Sequence, residues 1–240
     1  MDILIQKVKK YDADKNVKID RFIYSIENGE DEGCKRLSKT CLICNNLRKS
    51  IKHLDNQKSE INDTVIIEME SSLLYTHKLL MNGLISNAGK LSTNRRITYY
   101  QGEIYEYPRM ISMEISYDTI FFLLDIINDD IYKAFNICSE IKCMEMLIKT
   151  ACKFMYVFLT LHPMSDGNGR LSRLLCNHIV SAKLPIYWCL PNVTDILVSL
   201  RYDFNKEITS SIEGKTLVLE LLNNLDLNKL YEYVLNNIIV

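Results

Sequence analysis

Charge of neither sign dominates this sequence. Its 29 Lys and Arg against 30 Asp and Glu leave a formal net charge of -1, so no global basic field draws the chain to nucleic acid or to an anionic lipid surface. Long apolar runs are missing too: the longest candidate is broken by Lys149 and Lys153, well short of the ~20 residues that a bilayer-spanning helix needs. The first residues, Met1 to Lys7, lack the apolar stretch and small-residue cleavage site of a secretory signal. These absences set the expectation of a soluble, cytoplasmic protein with no nucleic-acid and no membrane partner. Internal repeats and low-complexity tracts are absent as well. Cysteine is not scarce, but the eight residues are scattered, and Cys138, Cys152 and Cys176 fall in helical apolar patterns where a reduced thiol acts as a small hydrophobe. No disulfide framework is expected. Cys41 and Cys44 have ligand spacing for zinc, yet no second pair follows and only His53 is near, so ordinary thiols are the preferred reading.

What is present is apolar material at helical spacing. A chain of 240 residues that is 48% hydrophobic can bury a sizeable core without staples. Residues 1–60 are a lysine-rich N-terminal segment of unassigned role, divided by a loop at Asn28–Gly33. The spacing of Leu73, Leu74, Leu79 and Leu80 predicts a helix over 61–81 that ends at Asn82–Gly83, with His77 inside it as a structural residue. β-branched and aromatic residues flank Gln101–Gly102 between Arg95 and Pro108, which predicts a β-hairpin. Helical patterns resume over 116–128 and from 131 to 161 with a break near Ser139. Another helix runs to about 182, where Lys183-Leu184-Pro185 ends it, and the remainder is amphipathic helix. The fold class read from this pattern is mainly α with one β-hairpin.

The chemistry is concentrated between two of those helices, in His162-Pro-Met-Ser-Asp-Gly-Asn-Gly-Arg-Leu-Ser-Arg173. Gly167 and Gly169 let backbone amides approach a ligand where the next helix begins, so unpaired N–H groups and the positive end of its dipole face that ligand. Arg170 and Arg173, three apart, can grip one polyanion with forked guanidiniums. Asp166 offers a hard oxygen to a magnesium ion that keeps most of its waters and bridges phosphates. His162, with an ordinary pKa near ~6.5, suits general-base work. Singly, each has an ordinary role, with Asp166 or Asn168 as a helix cap and the glycines as turn formers. Their crowding on one loop points instead to attack of a hydroxyl on a nucleotide phosphate.

At these residues the sequence resembles the Fic (Fido) family, whose motif reads His-Pro-Phe-x-Asp/Glu-Gly-Asn-Gly-Arg-x-x-Arg. Every fixed position matches except the phenylalanine, which is Met164 here, a soft filler of similar size. The resemblance implies a Fic-type helical core with a hairpin flap over about 61–195, preceded by the 1–60 segment and followed by C-terminal helices over 196–240. It implies transfer of AMP from ATP, with Mg2+, to a Ser, Thr or Tyr hydroxyl of a target protein. In that reading His162 takes the hydroxyl proton and Asp166 holds the metal. Gly167, Asn168 and Gly169 surround the α- and β-phosphates, and Arg170 and Arg173 steady the leaving phosphates. The hairpin tip Tyr100, Gln101, Gly102 and Glu103 would dock the target's extended backbone.

The family's self-inhibitory motif, Ser/Thr-x-x-x-Glu-Gly/Asn, has two counterparts. Thr209 to Gly214 matches every fixed position and nominates Glu213, the favoured one; Thr64 to Met69 nominates Glu68 but carries methionine at its end. Either carboxylate, paired with Arg173, would take the place of the γ-phosphate. Alternatives of the same resemblance are another nucleotide donor, removal of AMP, or a catalytically silent binding module. Self-association is compatible with all of them.

Overall fold

The computed structural model describes residues 22–23, 41–60, 65–100, 103–183 and 214–237. The described elements are α1 (Leu42–Glu60), a π-helical turn (Met69–Leu74) continuing as α2 (Tyr75–Leu80), β1 (Ile97–Tyr100) and β2 (Glu103–Glu106). After them come α3 (Met113–Phe135), α4 (Glu140–Leu161), α5 (Asn168–Val180), α6 (Gly214–Asn223) and α7 (Leu227–Asn237). The protein is mainly α, with β1 and β2 paired as an antiparallel hairpin in which Tyr100 lies opposite Glu103 and Ile97 opposite Glu106. The hairpin tip, Gln101 and Gly102, lies outside the described residues. No helix among the described residues is long and apolar enough to cross a membrane.

Helix α4 is the axis of the core. It is apolar on nearly every side, and α3, α5, α6 and α7 all pack on it, as expected for a helix that is hydrophobic all round. Leu147, Ile148, Phe154, Val157, Phe158 and Leu161 lie fully buried along it. An ion pair crosses this packing, Lys153 donating to Asp130 of α3 at 2.7 Å. Helix α1, from the lysine-rich N-terminal segment, buries Cys44, Leu47, Ile51 and Leu54 and packs against α2 and α5.

Two boundaries differ from the periodicity reading. The helix expected over 61–81 begins only at Met69, because Val65 to Met69 alternates buried and exposed with period two, and the chain before Met69 is extended. Asn128 of α3 holds that extension by its side-chain amide, which accepts from the Ile67 N–H at 2.8 Å and donates to the Ile67 carbonyl at 3.1 Å. The extended segment then enters the π-helical turn, where the N–H groups of Ser72 and Leu73 both reach the Glu68 carbonyl, at 3.1 and 3.0 Å. The second difference concerns 116–161. One helix runs through 128–131 without a break to Phe135, while the break expected near Ser139 is found at 136–139, where Cys138 is exposed rather than on a helical apolar face.

Asn128→Ala removes both bonds to Ile67, and should destabilise the protein by about 1–2 kcal/mol in urea unfolding. Asn128→Asp should cost at least as much, since a carboxylate cannot donate to the Ile67 carbonyl.

Candidate active site

Helix α4 stops at His162, whose backbone is left-handed (φ 49°, ψ 54°) and whose N–H still donates to the Phe158 carbonyl at 2.9 Å. His162 is the one non-glycine residue with positive φ among the described residues. That conformation costs a residue with a side chain about 1–2 kcal/mol, and such strain gathers at functional sites. The left-handed cap turns the chain out of α4 into the loop that leads to α5.

The loop is closed from inside by Asn168. This asparagine is buried, and its side chain accepts from the Met164 N–H at 2.9 Å and donates to the Met164 carbonyl at 3.0 Å. Its amide side chain is therefore engaged with the loop itself. Met164, in the place of the family's phenylalanine, is fully buried. On the outside, Leu91 forms an antiparallel bridge with Met164, and the Ser92 N–H donates to the Pro163 carbonyl at 2.8 Å.

Neither Asp166 nor Asn168 caps α5. Gly167 is the cap, at φ 76°, and a Cβ there would fall 2.6 Å from the Met81 sulfur. Conformation and space both demand glycine at this point. The helix so started runs 13 residues, and its first amides lack intrahelical partners, which makes its N-terminus suited to phosphate oxygens. Asp166 takes the Gly167 N–H on Oδ1 at 2.6 Å, and its other oxygen lies 3.7 Å from the Arg170 guanidinium. The Asp166 side chain is 61% exposed, so its remaining lone pairs are open to a hydrated cation. Among the described residues no group of three or more His, Cys, Asp and Glu could cage a metal. A magnesium ion at Asp166 would thus take its other ligands from water and from nucleotide phosphates, its usual habit. Arg170 is partly exposed; Arg173, one turn along α5, is buried.

Two residues outside the motif complete the site, and neither was singled out as functional by the sequence. His77, fully buried, receives the Gly89 N–H on Nδ1 at 2.8 Å, so its own proton sits on Nε2, which donates to the Asp166 carbonyl at 2.9 Å. Burial lowers its pKa and keeps this neutral tautomer. His77 is structural, as expected, and what it holds is the turn at Asp166. Tyr107, the residue after β2, lies face-on against the His162 ring with centroids 3.9 Å apart. The only sequence signal for either would have been distance along the chain, which carries none.

The two regulatory candidates are placed differently. Glu213 lies outside the described residues; the next residue, Gly214, opens α6 beside Ile115 and Thr119 of α3. Glu68 is exposed and accepts from the Ser71 hydroxyl at 2.6 Å. It leads into the π-helical turn, which packs against α5, the helix of Arg173.

A left-handed histidine, a glycine-opened helix N-terminus and two arginines thus lie together on one loop and the first turns of α5. Residues 68–180 match the Fic/DOC family. The fold is similar to that of a Fic family protein from Desulfovibrio desulfuricans, at 19% identity and TM-score 0.53, covering 92% of this chain and 64% of that one. It is similar to a Fic domain-containing signaling protein from Bacteroides thetaiotaomicron, at 15% identity and TM-score 0.57, covering 93% and 85%. It is also similar to Fic-1 from C. elegans, at 17% identity and TM-score 0.53, covering 98% and 62%. Among curated proteins the chain is 29% identical over 161 residues to one named ribonucleoside-diphosphate reductase small chain, from Ostreid herpesvirus 1. That match covers 67% of this chain and 26% of the relative, so the chain spans about a quarter of its length.

Gly167→Ala should lower stability by at least about 1–2 kcal/mol for the backbone alone, and Met81→Ala in that background should recover only the steric part, both read by thermal unfolding. A pH dependence arises at the other end of α5. His178 is buried there, and desolvation, helped by Lys58 and His53, pulls its pKa down to about 3. Above pH ~6.5 it is neutral in both states; below that the unfolded chain takes up a proton and the folded one does not, so stability falls as pH drops. At about 1.4 kcal/mol per pH unit, roughly 2 kcal/mol should be lost between pH 7 and 5, and His178→Gln should flatten that loss in urea titrations.

Proposed function

We propose that this protein is a Fic-type nucleotidyltransferase that moves AMP from ATP onto a Ser, Thr or Tyr hydroxyl of a target protein. The observation that carries this reading is the unbroken set His162, Asp166, Gly167, Asn168, Gly169, Arg170 and Arg173 gathered on one loop and the first turns of α5. His162 takes the proton of the attacking hydroxyl. Its oxygen bonds to the α-phosphorus while the α–β anhydride bond breaks and pyrophosphate leaves. Asp166 would hold the magnesium, which supplies positive charge against the phosphates as they separate. The amides of Gly167, Asn168 and Gly169 surround the α- and β-phosphates, and Arg170 and Arg173 take up charge on the leaving group. Around the hairpin, Tyr99 and Ile104 are exposed opposite one another, which supports its service as a docking edge with Tyr100 to Glu103 at the tip. The choice of nucleotide base depends on walls beyond the phosphate loop, so GTP, UTP and CTP are alternatives within the same chemistry.

For self-inhibition we favour Glu68 over Glu213. The π-helical turn after Glu68 packs on the helix of Arg173, whereas α6, after Glu213, packs on α3 and α4.

Incubation with magnesium and α-labelled ATP tests the reading. Label should appear on protein with wild type or a glutamate variant, and His162→Ala should lower the rate by about 10²- to 10⁴-fold. Glu68→Gly should raise labelling more than Glu213→Gly does; no gain from either would remove the inhibition idea. Absence of label from every variant with all four nucleotides would overturn the transferase itself.

A further inference from the structure

The left-handed cap of α4 fixes the direction in which the His162 side chain leaves the backbone, but not how its ring is turned. That second torsion, about an sp³–sp² bond, is intrinsically broad, and a base that must present one nitrogen to a hydroxyl needs it held. We propose that Tyr107 is the positioning residue that holds the His162 ring, and that a brace centred on Arg96 fixes Tyr107 to the phosphate loop. This rests on the reading of His162 as the base.

The two rings are nearly parallel, 22° apart, with centroids at 3.9 Å. A face-on stack covers the π surface of the imidazole and does not itself occupy the ring edge, in which both nitrogens lie. It therefore restrains rotation without obstructing proton transfer.

Tyr107 is restrained in turn. Its N–H donates to the Arg96 carbonyl at 3.0 Å. The Arg96 guanidinium, buried at 8% exposure, donates to the Ser92 carbonyl at 2.7 Å and to the Pro108 carbonyl at 3.2 Å. Arg96 thereby ties the chain before β1 to the chain after β2. The Ser92 N–H, at 2.8 Å from the Pro163 carbonyl, joins this bracket to the residue that follows His162. The contacts close a circuit: His162 to Tyr107, Tyr107 to Arg96, Arg96 to Ser92, and Ser92 back to Pro163.

The brace costs stability. Among the described residues Arg96 has no carboxylate partner, its Nε makes no hydrogen bond, and its bonds are to neutral carbonyls, an unfavourable setting for a buried cation. Burial lowers its pKa and nearby Tyr107 raises it again. An expensive cation spanning both feet of the hairpin is accounted for by what it aligns. Since Tyr107 directly follows β2, a shift of that strand is passed to the base within one residue, so target docking at the hairpin and orientation of His162 are coupled.

The test uses the full chain with Tyr107→Leu, which removes the ring, and Tyr107→Phe, which keeps it. The protein has four histidines, so the His162 ring protons can be assigned by NMR against His162→Asn. Wild type and Tyr107→Phe should show those protons displaced upfield by the stacked ring, and Tyr107→Leu should lose the displacement. In AMP transfer, kcat of Tyr107→Leu should fall by about 10- to 100-fold, the penalty of a misplaced group, with KM for ATP unchanged because the phosphate loop is untouched. Tyr107→Phe should recover most of kcat. Upfield protons persisting in Tyr107→Leu, wild-type kcat in that variant, or a rise in KM in place of the fall in kcat would each overturn the assignment. If wild type transfers no nucleotide at all, the transferase reading fails by itself, and the NMR arm still decides whether Tyr107 holds the ring.

Discussion

The chain that leaves α4 and starts α5 has to satisfy the backbone groups it buries on the way. For Met164 that task falls on a side-chain amide. Asn168, buried at the first position of α5, bonds both backbone groups of Met164 and so closes the loop as a ladder pair would. With Met164 held in the core, the loop has to reverse direction within a few residues. It does so through two left-handed positions, His162 at its start and Gly167 at its end. The strain at His162 and the close approach of Gly167 to Met81 both follow from the shortness of that connection.

The same economy sets the electrostatics. Because α5 begins with a glycine cap and no side-chain cap bond, its first amides are left for a ligand. The nearest carboxylate, Asp166, is turned to solvent beside Arg170 and balances the local positive charge without being buried. In the proposed reading a polyphosphate with its magnesium would bring negative charge to the helix end and positive charge to the carboxylate. Loop 91–96, the hairpin and His77 then press on the turn from outside, so the site is assembled from four stretches of chain.

Much of this was legible because it is contiguous. His162 to Arg173 are consecutive, and glycine, arginine and histidine at those spacings admit few other uses. The hairpin was legible from β-branched and aromatic residues around Gln101–Gly102, and the helices from apolar spacing. His77 could be read only as buried; its bond to the Asp166 carbonyl spans 89 positions. Tyr107 and Arg96 read as members of a strand-rich run, since nothing local marks a tyrosine as lying against a histidine 55 residues away. The misplaced start of the helix at 69 has the same origin. Val65 to Met69 can pattern as helix or strand, and Asn128, from another helix, decides between them.

The amino-acid order alone determined which chemistry can be proposed for the loop, because the groups suited to phosphate binding and proton removal are side-chain types spaced along twelve residues. It also settled that the scaffold would be mainly helical, since that depends on periodicity. Only the folded chain decided what lies against the His162 ring, what holds the loop between α4 and α5, and which turn packs on the helix of Arg173. Those properties come from contacts between residues far apart in sequence, and a contact of that kind exists only once the core has brought both partners to one place.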